Sequence, residues 1–449
     1  MKKSTLIVLA LAIIACVAFY FFDWKKGDKD AAKPLPDASK PAFTFKADDI
    51  TSITITHPGD AGAPAITLTK QGSAWQITQP LSTLADDSTA GGLAEGLANA
   101  RVEGTQPGTA DRLKVYGLDP ADVVVNFQLQ NGTKHAVQLG KKDFVGTSVY
   151  AKIDQNSDVS LLPESLLGLA SKNIEDLRDR TVLHAHNDQI TAFDLKNASG
   201  EIVATKLGQD WKFTKPSTSP ADTSAIEELL AAITGGKMVS VASETPDNLA
   251  KYGLSSPTIT FIATDAKGKS ATLLVGKKDA DGYFAREESL PVIFRISDDL
   301  QKKLSGNFAD LRDKKIAHFD PATITHIDVH NASGAFSLTR KNQDEWAFDA
   351  PPELKGKSGS PEQLFSRLEQ ARADQIIDSP TSAIAAKLAK PAFEAVLTTK
   401  DGKTITIDVS QVQDADGVIY ARTSESPSAY KLKKQLLDDL NVKATDLAF

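Results

Sequence analysis

Short runs of alternating apolar and polar residues recur along most of the chain, and this pattern is typical of β-strands with one buried face. Ile190–Leu195 and Ile202–Leu207 are two such runs, and the Asn-Ala-Ser-Gly segment between them is typical of a hairpin turn. Between residues 221 and 233 the apolar positions instead follow the i, i+3, i+4, i+7 spacing of a helix: Ile226, Leu229, Leu230 and Ile233. A second helix is predicted over residues 297–311. The two periods together predict an α+β fold with antiparallel sheet.

The same succession of elements occurs three times along the chain. Trp75, Trp211 and Trp346 are separated by 136 and 135 residues. Three further motifs recur at nearly the same offset: Tyr116–Leu118 as Tyr252–Leu254, Gly140–Asp143 as Gly276–Asp279, and Asp176–Asp179 as Asp310–Asp313. A period of this length is the size of a whole domain. The sequence therefore predicts three tandem repeats, each an antiparallel β-rich unit with about two helices, at residues 46–180, 181–315 and 316–449.

The N-terminal residues predict a membrane anchor. Ser4–Phe22 is uncharged and 19 residues long, and as a helix it would span roughly 28 Å, close to the thickness of a bilayer core. Lys2 and Lys3 precede it, so the positive-inside rule places the N-terminus in the cytoplasm. We therefore expect a transmembrane helix within residues 1–26 of a single-pass bacterial inner-membrane protein, with the bulk of the chain periplasmic or otherwise extracytoplasmic.

Two other interpretations of this segment remain open. A cleaved signal peptide would have a shorter apolar core. Ile13–Cys16 resembles a bacterial lipobox, which makes Cys16 a possible site of lipidation, although Val17–Phe22 stays apolar where a mature lipoprotein usually turns polar. Residues 27–45 contain few apolar side chains and predict a flexible linker. All three interpretations place the residues after this linker outside the cytoplasm.

Composition excludes several classes of function. The chain has 449 residues, of which 41% are hydrophobic and 24% charged, as in an ordinary globular protein. Its formal net charge is −7 and it has no basic block, so we expect no nucleic-acid partner. Cys16 is the only cysteine, which excludes an intrachain disulfide and a cysteine-based zinc site.

Histidine pairs are the first candidates for chemistry. His184 and His186 lie at i, i+2, and His326 and His330 at i, i+4, so each pair would share one face of a strand. Histidine is a common metal ligand, but neither pair has a third ligand at a suitable spacing, and the repeats differ at these positions. We therefore predict exposed strand or turn histidines rather than a metal site.

Two acidic segments resemble the start of a calcium-binding loop. They are Asp279–Gly282 and Asp414–Gly417, and each is followed by strand-like sequence rather than by the remaining ligands of such a loop. A hairpin turn explains them better. The sequence thus predicts no catalytic residue, no metal ligand and no cofactor.

The residues shared by the repeats are expected to serve the fold. We predict that the three tryptophans are core anchors. The Asp-Leu-Arg-Asp segments lie at the junctions between repeats, where we expect the leucine to be buried and the arginine to bridge a neighbouring carboxylate or carbonyl.

These motifs resemble those of a bacterial family known only as a domain of unknown function. Its members have one N-terminal transmembrane segment and tandem repeats with a strand-borne tryptophan, a Tyr-Gly-Leu turn and an Asp-Leu-Arg segment. They are often encoded beside ABC transporter subunits of the gliding-motility type, which implies an accessory role in the cell envelope. The resemblance brings no catalytic residues. In the third repeat, Lys387–Lys390 replaces the Tyr-Gly-Leu turn.

Three functions follow as hypotheses. The first is a non-enzymatic, membrane-anchored envelope protein that acts as an accessory to, or interaction partner of, an ABC-type transport system. The second is a periplasmic binding module for an envelope glycan or lipid, anchored by a lipid on Cys16, with exposed aromatic rings lining a cleft between repeats. The third is a hydrolase, which would require paired carboxylates or a His–carboxylate pair in a pocket.

Overall fold

The computed structural model describes residues 39–60, 62–412 and 417–449. These residues form two compact units, one ending at Arg180 and the other comprising Thr181–Phe449. The predicted anchor at residues 1–26, including Cys16, lies outside the described residues. Among the residues that are described, no helix is both long and apolar enough to cross a membrane.

The described residues contain twenty-nine strands, distributed over the three repeats. The first repeat contains β1 (Lys40–Pro41), β2 (Ile50–Thr56), β3 (Ile66–Gln71), β4 (Ala74–Gln79), β5 (Thr83–Leu84), β6 (Arg101–Val102), β7 (Gly104–Gln106), β8 (Val123–Leu129), β9 (Lys134–Lys142), β10 (Ser148–Ile153) and β11 (Val159–Pro163). The second contains β12 (Ile190–Asn197), β13 (Gly200–Leu207), β14 (Asp210–Lys215), β15 (Ser219–Pro220), β16 (Ser240–Ser243), β17 (Ile259–Asp265), β18 (Ser270–Asp279), β19 (Gly282–Glu287) and β20 (Ile293–Ile296). The third contains β21 (Ile324–Asn331), β22 (Gly334–Arg340), β23 (Trp346–Ala350), β24 (Ser358–Gly359), β25 (Gln375–Ile377), β26 (Phe393–Thr399), β27 (Thr404–Val409), β28 (Val418–Thr423) and β29 (Ser426–Lys433).

The helices are short and lie between or after the strands. They are α1 (Asp87–Ala98), α2 (Ala110–Val115), α3 (Glu164–Ala170), α4 (Ile174–Leu177), α5 (Thr223–Thr234), α6 (Asp298–Leu304), α7 (Phe308–Leu311), α8 (Glu362–Gln370), α9 (Ser382–Leu388), α10 (Gln435–Leu440) and α11 (Ala444–Leu447). Single 3-10 turns occur at Ala47–Asp49, Asn187–Gln189, Leu249–Tyr252, Pro321–Thr323 and Pro352–Leu354.

Each repeat forms one nine-stranded antiparallel sheet, and the three sheets have the same topology. The strand orders are β5-β4-β3-β2-β8-β9-β10-β11-β7, β15-β14-β13-β12-β17-β18-β19-β20-β16 and β24-β23-β22-β21-β26-β27-β28-β29-β25. Each sheet consists of two four-stranded meanders whose first strands lie side by side, as β2 and β8 do in the first repeat. One further short strand pairs with the last strand of the second meander, as β7 does with β11. The predicted repetition of mainly antiparallel β units is therefore confirmed.

The sheets form because alternate residues of each strand are apolar and buried. In β12, Phe193 and Leu195 are buried while Asp194 lies between them on the other face. Helix α5 covers the buried face of its sheet with the four apolar residues that its spacing predicted, all of them buried. Asp222 begins this helix by accepting a hydrogen bond from the Ala225 N–H at 3.2 Å.

Each repeat has its own hydrophobic core, and each core contains one of the repeated tryptophans. All three indole side chains are buried, as predicted. Each also lies opposite a basic residue of the preceding strand, whose cation sits over the indole ring: Lys70 on Trp75, Lys206 on Trp211 and Arg340 on Trp346. The tryptophans therefore fix the same strand pair in every repeat.

The Tyr-Gly-Leu and Gly-Lys-Lys motifs pack against each other. The Lys141 N–H donates to the Tyr116 carbonyl oxygen at 2.8 Å. A side chain at Gly140 would place its Cβ 2.2 Å from that same oxygen, and Gly276 has the same relation to Tyr252. In the third repeat the Lys387 ammonium lies over the Tyr420 ring, 5.2 Å from its centroid, at the position where Tyr116 stacks on Tyr150 in the first repeat. These motifs thus join a turn to a strand.

Two sequence-based boundaries differ from the structure. The linker predicted at residues 27–45 ends too late, because Lys40–Pro41 pairs with β6 and Phe43 is buried against Phe127, with ring centroids 5.3 Å apart. The helix predicted over 297–311 is divided into α6 and α7, since Asn307 accepts a hydrogen bond from the Asp310 N–H and begins a new helix there.

Candidate functional site: the groove between the second and third repeats

The structure does not bring the sequence-predicted histidine pairs together as a site. His184 Nδ1 lies 2.5 Å from the buried carboxylate of Glu287. His326 hydrogen-bonds Asp328 and the Thr339 hydroxyl at 3.0 and 2.8 Å, and His330 is exposed. In the described part of the chain, no group of three or more His, Cys, Asp or Glu side chains is arranged to hold a metal ion.

The first of the two calcium-loop-like segments is a hairpin turn, as the sequence favoured. Asp279 pairs with Gly282 across the turn, and its carboxylate accepts hydrogen bonds from the Arg295 guanidinium at 2.7–3.1 Å. These hydrogen bonds hold the pKa of Asp279 below its ordinary value although burial opposes them. In the second segment, Asp414 to Asp416 lie outside the described residues.

The Asp-Leu-Arg-Asp motif of the second repeat lies at the junction with the third. Leu311 is buried in the core of the second repeat, and Arg312 Nη1 is 2.9 Å from the carboxylate of Asp378, which follows β25 of the third. The prediction that the leucine is buried and the arginine bridges a carboxylate is confirmed for this copy. The guanidinium also lies over the Phe308 ring, 5.2 Å from its centroid.

Backbone hydrogen bonds attach the junction to both repeats. Ala221 forms a β-bridge with Arg312, at the β15 edge of the second sheet. On the other side, the Ile316 N–H donates to the Ala371 carbonyl at 3.1 Å, and the Ala373 N–H donates to the Lys314 carbonyl at 2.7 Å. The segment from Arg312 to Ile316 therefore fixes two sheet edges close to each other.

A groove of about 570 Å³ lies between these edges, and we call it the junction groove. Its lining combines hydroxyl groups, charged groups and a few apolar side chains: Ser217, Thr218, Ser219, Pro220, Arg312, Asp313, Ile316, His318, Ile376, Asp378, Thr423, Glu425, Ser426, Pro427, Ser428 and Tyr430. Both edge strands, β15 and β25, contribute to it, and the hairpin between β28 and β29 closes one side.

The ionisable groups of the groove pair mainly with each other. His318 Nε2 is 2.7 Å from Asp313 Oδ2, and this hydrogen bond raises the pKa of His318 against the effect of its partial burial. Burial raises the pKa of Asp313, but the hydrogen bonds from His318 and from the Lys315 N–H outweigh it, so the pKa is lowered overall. Glu425 pairs with Lys403 at 2.8 Å. The charged groups of the groove are therefore largely paired.

Two buried polar atoms of the lining have no hydrogen-bond partner among the described residues: Ser219 Oγ and Arg312 Nε. An unsatisfied polar atom in a protein interior costs free energy, which a bound polar ligand can recover. The Ser428 hydroxyl is satisfied, because it donates to Asp378 at 3.1 Å.

The sequence pointed to two residues of this groove, but as structural residues of the junction and not as part of a binding site. Arg312 and Asp313 were found through the repeated motif at a predicted junction. His318, Asp378 and Ser219 were not, because they come from separate segments that only the folded chain brings together. The useful signal was the position of the motif, which marked the junction itself.

Residues 75–217 and 211–391 match a family model described as Domain of unknown function (DUF4340). The two matches together cover more than half of the chain. They begin at Trp75 and Trp211, the core tryptophans of β4 and β14. No curated protein matches the chain.

Proposed function

The chain belongs to the DUF4340 family, and from that premise we propose that it is a non-enzymatic, membrane-anchored envelope protein that binds other proteins through the junction groove. Subunits of an ABC-type transport system are the proposed partners, as the motif resemblance implied. The proposed location is the extracytoplasmic side of a bacterial inner membrane, to which the predicted anchor at residues 1–26 would hold it.

The junction groove is the observation that carries this proposal. β25 is a terminal strand of its sheet, and a terminal strand offers backbone N–H and C=O groups to an added segment. β15 lines the other side of the groove, but the Pro220 carbonyl already accepts a hydrogen bond from the Asp313 N–H at 3.3 Å. The exposed Ser217 and Thr218 add side-chain hydroxyl groups at the rim. An extended segment of a partner protein fits such a groove, because it presents backbone groups and side chains at once.

The chemistry of the groove favours binding over hydrolysis. The His318–Asp313 pair is the observation that speaks for a hydrolase, since such a pair can activate a hydroxyl group. Among the described residues, however, no hydroxyl group is hydrogen-bonded to His318. Asp313 is paired with His318, and Arg312 is paired with Asp378 of the third repeat. We therefore assign these charges to holding the groove in shape.

A glycan or lipid ligand, bound by a protein lipidated on Cys16, is the second candidate. Sugar-binding clefts commonly present exposed aromatic faces to the ligand. The tyrosine ring among the described lining residues, Tyr430, is buried, so the groove fits a polypeptide better.

Site-specific photocrosslinking in native membranes tests the proposal. A photoreactive amino acid replaces Thr218 at the groove rim in the full-length protein. The matched control is Lys357, which precedes β24, the strand of the third sheet that corresponds to β15, and which lies outside the lining.

We expect position 218 to capture transporter subunits, identified by mass spectrometry, and position 357 to capture none of them. Capture of glycan or lipid at position 218 would favour the second candidate. Equal capture at both positions would contradict a role for the groove.

A further inference from the structure

The hairpin loop between β9 and β10 of the first repeat exposes two apolar side chains. We call this loop, residues 143–147, the tip. Phe144 is 104% exposed and Val145 is 74% exposed. The Asp143 carboxylate accepts hydrogen bonds from the N–H groups of Gly146 and Ser148 at 2.9 and 3.1 Å. The tip is therefore a fixed turn that holds an aromatic and an aliphatic side chain in solvent.

The sequence of the other two repeats has no pair of large apolar residues at the aligned positions. Ala280-Asp281 and Ala415-Asp416 stand there instead. Because the three sheets share one topology, the fold does not require apolar residues here. The apolar tip is specific to the first repeat, which follows the predicted anchor and linker.

Cationic side chains lie next to the tip. Lys141 and Lys142 precede it on β9, and both are exposed, although Lys142 also pairs with Glu164 at 2.6 Å. The backbone hydrogen bond between Lys141 and Tyr116 places the end of α2 alongside. That helix adds Val115, 70% exposed, together with the cations Arg112 and Lys114. Apolar side chains next to cations are typical of a surface that contacts anionic lipid.

The strand register places the tip at the end of the sheet where β1 pairs with β6. Ser148, just after the tip, pairs with Pro163, and Leu161 two residues earlier pairs with Gly104. Val102, two residues before Gly104, pairs with Lys40 of β1. From β10 to β1 there are three strand spacings, or about 15 Å. The base of the tip and Lys40, near the start of the described chain, therefore lie at the same end of the sheet.

We propose that the tip inserts Phe144 and Val145 into the interface of a bilayer with anionic headgroups. It is a second membrane contact beside the predicted anchor, and it fixes the orientation of the first repeat. This inference rests on the anchoring in the proposed function, and it adds the segment that touches the lipid and the headgroup charge that it prefers.

Fluorescence of the reconstituted full-length protein tests the inference. An environment-sensitive fluorescent amino acid replaces Phe144, and in a matched protein it replaces Ala280 at the corresponding turn of the second repeat. Both proteins are reconstituted into phosphatidylethanolamine–phosphatidylglycerol vesicles with and without brominated acyl chains, and flotation of the vesicles is measured in parallel.

We expect blue-shifted emission and quenching by brominated lipid at position 144, with emission typical of water and no quenching at position 280. Replacing phosphatidylglycerol by phosphatidylcholine is expected to weaken the quenching at position 144. A protein that floats while both probes report water overturns the tip contact and leaves the anchor intact. A protein that fails to float overturns the proposed anchoring as well.

Discussion

Arg312 is the buried cation of the junction between the second and third repeats. Its side chain is 10% exposed, while the side chain of its partner Asp378 is 56% exposed. A second ion pair, Arg372–Asp222 at 3.1 Å, joins the same two repeats, but there the arginine side chain is 51% exposed. Burial distinguishes the two pairs, and we expect their energetic contributions to differ for that reason.

Replacing Arg312 by alanine is expected to lower the free energy of unfolding by about 1–3 kcal/mol, because a buried hydrogen-bonded cation and its packing on Phe308 are lost. Arg372→Ala is the matched control, and we expect a cost below about 1 kcal/mol for this exposed pair. Urea denaturation of the full chain measures both. Equal effects of the two variants would contradict a special role for Arg312.

The His318–Asp313 pair makes the junction sensitive to pH. The pKa of His318 is raised above 6.5 in the folded protein, so protonated His318 stabilises the fold below that pH, and this contribution is lost as the pH rises through the raised value. The pKa of Asp313 is lowered below 3.8, so its contribution is present above that pH and is lost in acid as the pH falls through the lowered value.

His318→Gln is expected to remove the first of these two dependences. Stability of the wild-type protein should fall more steeply than that of the variant as the pH rises above 6.5 and passes through the raised pKa of His318. Denaturation midpoints over this range measure the difference. Parallel curves for the two proteins would show that the pair does not titrate as described.

Among the elements, the Tyr-Gly-Leu turn and the Gly-Lys-Lys strand make a close backbone contact in the first and second repeats. The backbone atoms approach so closely that Gly140 has no space for a Cβ. A Cβ at Gly168, in α3 of the same repeat, would instead meet no atom of another element within 4 Å. Replacement by alanine should therefore have opposite effects on stability at these two glycines of the same repeat.

We expect Gly140→Ala to destabilise the first repeat by about 1–3 kcal/mol, since the turn and the strand must separate. Gly168→Ala should stabilise it by about 0.5–1 kcal/mol, because alanine is the better helix former. Thermal unfolding of the full chain measures both changes. An unchanged stability of the Gly140→Ala variant would show that the turn and the strand can separate without cost.

Much of each element could be predicted from the sequence, because burial on one face gives strands and helices a readable period. The strands around Phe193 and the helix after Asp222 follow it directly. The purpose of Gly140 could not be predicted, since it depends on the Tyr116 oxygen, which is distant in sequence. The division of the 297–311 helix was missed because Asn307 acts through a local cap that interrupts an otherwise helical pattern.

For the whole molecule, the repeat could be predicted from motif spacing, whereas the junction groove could not. Each hydrophobic core is built from the strands and helices of one repeat, so the buried positions recur in the sequence with the period of those elements. A groove between repeats has no such period, because His318, Asp378 and Ser219 meet only after both repeats are folded. The comparison between copies therefore separates what the fold requires from what one repeat alone presents.

We propose that an N-terminal anchor holds a body of three β-rich repeats outside the cytoplasm, where both the junction groove and the tip can meet their partners. Protease accessibility of the full-length protein, carrying a tag after Phe449, tests this placement. We predict that protease added to spheroplasts removes the tag, while a cytoplasmic marker protein stays intact. A tag that is protected until the inner membrane is lysed would contradict the account.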